Sequence, residues 1–453
     1  MSCFIAPRVF RGRQAVQIGN DRVCITVMCG GGHIALIQSA ADSAKTFREE
    51  GGDGGGDEEH AARDHGSPLW LPPWPTYDPA LSATVPEEIF GAGLEGKHLL
   101  SHICGHNLCL DVFGAHSEAE STHAGRAMSF HGEAGQATWD VAEARVADGG
   151  GEATLVLEAH LRHTQLSVRR TFQLRRGECS VKVTETMRNL VGFQRALGRA
   201  QHVTFGAAFL RDHTTSFTTN CDAGRTWPDA LGPHASFEPA TDFSYPALPA
   251  CAAVAAAAPG GRHPEASMGP AAAAAADVAA ADGVDWREYP RGGVARSEGL
   301  CTMRVDPKAT AASGGGKFGW MLAHNRGTGV ALSYVWERET FPWLMTWEEN
   351  NARMDKPWNG RTLTRGLEIS SYAFALGRKA NVEMGALFDT PTFEWLDAHE
   401  EKTTRFYISL QQTSASAGPK AEPIELSFRP AAAEGQNDAF ECAAPGMEPV
   451  LLR

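Results

Sequence analysis

ATLVLEAHLRHTQLSVRRTFQLRRGECSVKVTETMRNL, residues 153–190, decides the fold. Three runs within it, 153–161, 164–174 and 179–190, alternate apolar with polar side chains and are rich in β-branched and aromatic types. Alternation at a period of two gives an extended strand one buried and one wet face. The polar turns around them, VADGGGEA (146–153) and RRGE (175–178), are short, as in an antiparallel sandwich and unlike the helical crossovers of parallel sheets. QAVQIGNDRVCITVM (14–28), HVTFGAAFL (202–210), GVALSYVWE (329–337) and RFYISLQQ (405–412) repeat the pattern. The expectation is a large all-β antiparallel sandwich, closed by a terminal hairpin of RFYISLQQ with EPIELSF (422–428).

At 453 residues the chain could hold two or three average domains, but large β folds often run long, and one domain over 1–453 is expected. Two stretches break the strand pattern. Residues 43–67 are Gly-rich and acidic, a composition that buries little apolar surface, so they read as a mobile loop with His60 and His65 solvated. Residues 247–283 are Ala-rich but interrupted by Pro259, Gly260, Gly261 and Pro270, and read as an insertion outside the core.

A formal charge of −13, from 41 basic and 54 acidic residues, argues against a nucleic-acid partner, whose phosphates demand clustered Lys and Arg. The ten cysteines are scattered without a C-x-x-C pair, which speaks against a zinc ribbon or dithiol redox site. The first twenty residues lack the apolar core of a signal peptide, and no segment is long enough to span a bilayer. The expectation is a soluble cytoplasmic protein with reduced thiols, no membrane partner and no cofactor; its oligomeric state is open.

Three residues carry chemistry that the rest of the chain does not repeat. His131, in SFHGEAGQATW, sits where a strand ends in a glycine-rich bend, so its imidazole is presented to a ligand; equally, it is a turn histidine capping carbonyls. His202 interrupts an apolar strand, as a catalyst or as a satisfied core side chain. Glu368, in GLEISSYAF, lies in a mostly buried strand, where a carboxylate is either paired, with Arg365 for instance, or made more basic by desolvation. A basic carboxylate beside an imidazole is the minimum equipment for moving two protons at one substrate.

Aromatic segments suggest the substrate. PLWLPPWPTYDP (68–79) and FPWLMTWEENNARMDKPWNG (341–360) set Trp70, Trp74, Tyr77, Trp343, Trp347 and Trp358 beside carboxylates and amides. Sugar rings, with apolar C–H faces rimmed by hydroxyls, complement such platforms; core packing is the rival account. Trp74, Trp343, Trp347, Glu348 and Glu349 therefore join His131 as candidate sugar-binding residues. In HLLSHICGHNLCLDVFG (98–114) an extended strand would put His102, Cys104 and His106 on one face, but no second ligand pair completes a metal site, and none is expected.

HGEAG (131–135), QHVTFG (201–206) and GLEIS (366–370), in that order and spacing, resemble the histidine, histidine and glutamate motifs of the galactose mutarotase-like superfamily, which includes aldose 1-epimerases. PLWLPPWPTYDP, GHNLCLDVFG and FPWLMTWEENNAR resemble a divergent bacterial branch of it. The likeness implies a β-supersandwich with a sugar cleft on one sheet face, Glu368 as general base, His202 as general acid and His131 as a hydroxyl ligand. Glu133 replaces a glycine of the first motif, Val203 and Thr204 replace the Pro-Tyr of the second, and the early arginine motif has no counterpart. The implied activity is interconversion of sugar anomers. A non-catalytic carbohydrate-binding protein on the same fold is the alternative, and a sugar lyase or hydrolase pairing Glu348 or Glu349 with Glu368 is a third.

Overall fold

The structure is a computed structural model, and it describes residues 2–49, 65–93, 95–123, 128–210, 214–249, 251, 284–289, 296–413, 423–431 and 439–452. Alternation becomes two large antiparallel sheets. In the wider one, of twelve strands, the central neighbours are His106–Asp111, Arg195–Gly206, Leu363–Ser370, Trp343–Asn350 and Ser297–Val305. The second sheet, of nine strands, runs at its centre Val330–Glu337, Glu401–Gln412, Ser180–Asn189, Leu166–Arg175 and Glu152–Leu161.

The main core lies between them. Leu166, Val168, Phe172 and Leu174 from the nine-stranded sheet share one cluster with Val203, Phe205, Leu344, Leu367 and Ile369 from the wide one. Full burial of each such side chain is worth about 1.5–3 kcal/mol. Arg170 falls in the same inward series and is answered by Glu185, whose Oε1 accepts from the Arg170 Nε at 2.6 Å. Glu185 Oε2 in turn accepts from Gln201 at 2.6 Å, and Gln201 Oε1 meets His106 Nε2 at 2.9 Å. This chain of bonds occupies the inner face of the wide sheet. The next residue along the strand, His202, therefore faces outward.

Several expectations need correction. The loop expected over 43–67 begins as helix: Ala40–Glu49 is helical, with the Ser39 Oγ accepting from the Asp42 N–H at 3.1 Å. Good helix formers behind a serine cap outweigh the composition of the longer window. His65 is buried, its ring 5.4 Å from that of Phe10 and its carbonyl bonded to Gln38 at 2.6 Å. Residues 50–64, His60 included, lie outside the described residues. Of the Ala-rich stretch, Ala247–Leu248 pairs with Val284–Asp285 and Leu248 is fully buried; 252–283 lies outside the described residues.

RFYISLQQ belongs to the interior of the nine-stranded sheet, and Ser427–Pro430 pairs instead with Phe440–Ala443 in a small separate sheet. The single-face reading of His102, Cys104 and His106 also fails, because the strand begins only at His106. His106 bonds Gln201 in the core, whereas His102 packs its ring 6.1 Å from that of His33. No disulfide joins any of the ten cysteines. Among the described residues no helix is long and apolar enough to cross a membrane.

Candidate active site

Cross-strand register builds the centre of the site. In the ladder between Arg195–Gly206 and Leu363–Ser370, His202 stands opposite Glu368, so the two side chains emerge together on the outer face of the wide sheet. His202 Nε2 lies 3.0 Å from Glu368 Oε1, and its Nδ1 lies 3.1 Å from Thr204 Oγ1 on the same face. Thr204, where the resemblance suggested an aromatic residue, thus fixes the imidazole from behind. Gly366 is two residues before Glu368, and a Cβ there would approach Glu368 Oε1 to 2.7 Å. Glycine leaves room for the carboxyl group to lie back along its own strand.

A bend in the chain brings in His131. Residues 131 and 132 both have positive φ, at 64° and 83°. A Cβ on Gly132 would come within 2.2 Å of the Leu110 carbonyl oxygen, so this position requires glycine both for its backbone and for its close approach. The Glu133 N–H donates to that same carbonyl at 2.8 Å, and the Glu133 carboxylate accepts from the His163 and Thr164 N–H groups, tying the bend to a neighbouring turn. The Gly114 N–H donates to His131 Nδ1 at 3.0 Å, which leaves the ring proton on Nε2. The rings of His131 and His202 are 5.3 Å apart.

These groups line a cavity of about 420 Å³ whose remaining wall is largely apolar: Leu99, Ile103, Trp227, Leu300, Met345 and Trp358. Trp347 and Trp70 also line it, and Trp70 stacks on Trp358 at 6.1 Å. Arg353 and Glu95 contribute the other charges. The guanidinium of Arg353 covers Trp358 at 5.1 Å and bonds Glu298 at 2.9 Å.

Dry surroundings set the charge state. Burial raises the pKa of Glu368 well above the ordinary carboxylate value and lowers that of His202 to about 4. Both directions favour an uncharged pair, carboxylic acid and neutral imidazole, sharing one proton across the 3.0 Å contact. Burial, helped by the neighbouring His202, also holds His131 well below its usual value.

The other expected residues divide. Trp347 lines the cavity; Trp74 stands behind it, its indole N–H donating to the Leu100 carbonyl at 2.7 Å and its ring 5.1 Å from Trp358. Trp343 is buried away from the cavity, bonded to the Pro391 carbonyl. Glu348 faces the inter-sheet core beside Arg365, at 3.5 Å. Glu349 does not line the cavity; its Oε1 accepts from the Ala352 and Arg353 N–H groups, and burial raises its pKa to about 7. Sequence reasoning missed Glu95, Trp227 and Met345, which no local motif marks, and gave Arg353 no role.

Comparison with solved structures identifies the fold. A candidate aldose 1-epimerase from Klebsiella pneumoniae superposes with a TM-score of 0.55 at 12% identity, covering 92% of this chain and 91% of that one. A galactose mutarotase-like protein from Clostridium acetobutylicum gives 0.50 at 10% identity, covering 91% and 99%. Neither a family model nor a curated relative matches the sequence. The chain is thus built on the galactose mutarotase-like fold.

Proposed function

We propose that this protein interconverts the anomers of a sugar by acid/base ring opening, as an aldose 1-epimerase-like isomerase. The observation that carries the reading is the His202–Glu368 pair, 3.0 Å apart at the wall of an aromatic cavity with His131 beside it. One proton along that contact separates the resting pair from imidazolium and carboxylate. In the latter form Glu368 takes the proton of the anomeric hydroxyl while His202 gives one to the ring oxygen. The C1–O bond breaks, an open-chain aldehyde forms, and rotation about C1–C2 exposes its other face. Reclosure returns the proton from Glu368 to the new anomeric hydroxyl and restores the one on His202. His131, with its proton on Nε2, donates a hydrogen bond to a sugar oxygen.

Nothing in this sequence of steps requires a cofactor, and the partner is a small sugar in the cytoplasm. The hydrolase alternative loses support because neither Glu348 nor Glu349 lines the cavity. Anomeric exchange followed by NMR across a panel of aldoses tests the proposal, with faster exchange than in buffer expected for at least one of them.

A further inference from the structure

We propose that the substrate is an uncharged sugar lactol bearing an apolar group, such as an acyl or aryl substituent, on a carbon away from the anomeric centre. This rests on the anomer-interconverting reading of the site and names the substrate class it serves.

The ionisable side chains that line the cavity are few, Glu95, His131, His202, Arg353 and Glu368, and the Trp347 indole N–H adds one buried donor with no hydrogen-bond partner among the described residues. Most are already engaged. His202 and Glu368 bond each other, His131 accepts from Gly114 at Nδ1 and keeps only its Nε2 proton for a ligand, and Arg353 is held by Glu298. A hexopyranose carries hydroxyls on nearly every carbon. Placed here it would give up water at several of them and find protein partners only at the anomeric edge, at Glu95 and at the Trp347 N–H, too few for the rest. Leu99, Ile103, Leu300, Met345, Trp227 and Trp358 instead offer apolar surface. About 420 Å³ falls in the size range of pockets that hold ligands larger than a bare sugar ring.

Charge argues against a phosphorylated sugar. Among the described lining residues Arg353 is the cationic side chain, and Glu298, Glu95 and Glu349 all act on it. A phosphate entering the cavity would meet Glu95 and a guanidinium whose Nε and Nη2 are already bonded to Glu298, so little positive charge is left to balance its own. An uncharged substituent meets no such barrier.

The test titrates the full chain, by calorimetry, with glucose, with its benzoyl ester at the primary hydroxyl, and with its phosphate at the same position. The benzoyl ester is expected to bind at least about tenfold more tightly than glucose, as burial of its ring requires, and the phosphate more weakly than glucose. Equal or tighter binding of glucose or of the phosphate overturns the proposal. Leu231, half-buried at the cavity wall, supplies the control: Leu231→Asp should cost the ester about tenfold in affinity, and an unchanged affinity would place the aryl group elsewhere and overturn the proposal too. NMR exchange on the bound ester separates the two claims. Tight binding without anomeric exchange sinks the isomerase reading and leaves the ligand class standing.

Discussion

Glu368 is the residue on which the proposed chemistry turns, and its surroundings separate that role from a structural one. Arg365, the cation nearest in sequence, lies on the other face of the strand beside Glu348, so Glu368 is not half of that ion pair. Its polar contact is His202. Glu368→Gln keeps shape but removes the proton acceptor, and turnover should fall by about a hundredfold or more with sugar affinity little changed, in exchange NMR and calorimetry respectively. His202→Asn should do the same, and the double variant should be little worse than either, because both act in one proton-transfer event. The pH profile follows from the pair sharing one proton. Below about pH 4 His202 takes up a second and no base remains; above the raised pKa of Glu368 the shared proton is lost and no acid remains. kcat/KM should therefore hold its plateau down to about pH 4, with its alkaline limb above the ordinary carboxylate range. An acid limb at the usual histidine value would contradict this account of the pair.

Strands and bends hold these groups, and they fail differently when altered. Gly132→Ala adds a Cβ at a positive φ against the Leu110 carbonyl, and should destabilise the protein by about 1–3 kcal/mol and lower turnover by moving His131. Thermal unfolding and exchange NMR would register the two effects. Glu348→Gln leaves the buried Arg365 without its carboxylate and should destabilise by about 3–5 kcal/mol, while the folded fraction binds sugar as before. A stable Glu348→Gln protein with lost sugar affinity would return Glu348 to the site. Alternation along Trp343–Asn350 already implies that Trp347 and Glu348 point to opposite faces, so both could not serve one cavity. That constraint was legible in the sequence. Glu368 opposite His202 was not, because register joins residues far apart in the chain and no local pattern encodes it. The helix over Ala40–Glu49 was hidden for a third reason: its serine cap and alanines are diluted by the glycines that follow.

At the scale of the molecule, both large sheets were foreseeable from period-two runs, since burial of one face fixes that pattern wherever it occurs. The cavity was foreseeable only in part. Its tryptophans stand out by type, whereas Leu99, Leu300 and Met345 look like any core residues until the chain is folded. The Ala-rich stretch gives a prediction of its own. Ala247–Leu248 and Val284–Asp285 already pair, so replacing 252–281 by a short Gly/Ser turn should leave cooperative unfolding and ligand affinity nearly unchanged. A lost transition on thermal unfolding would give the stretch a structural role. If the His202–Glu368 pair acts as proposed, the protein speeds the exchange of sugar anomers. Two-dimensional exchange NMR on the purified protein with a sugar that calorimetry has found to bind measures this directly. Exchange cross-peaks between the two anomers should grow with protein concentration; a bound sugar whose anomers exchange no faster than in buffer would rule out proton transfer by the pair.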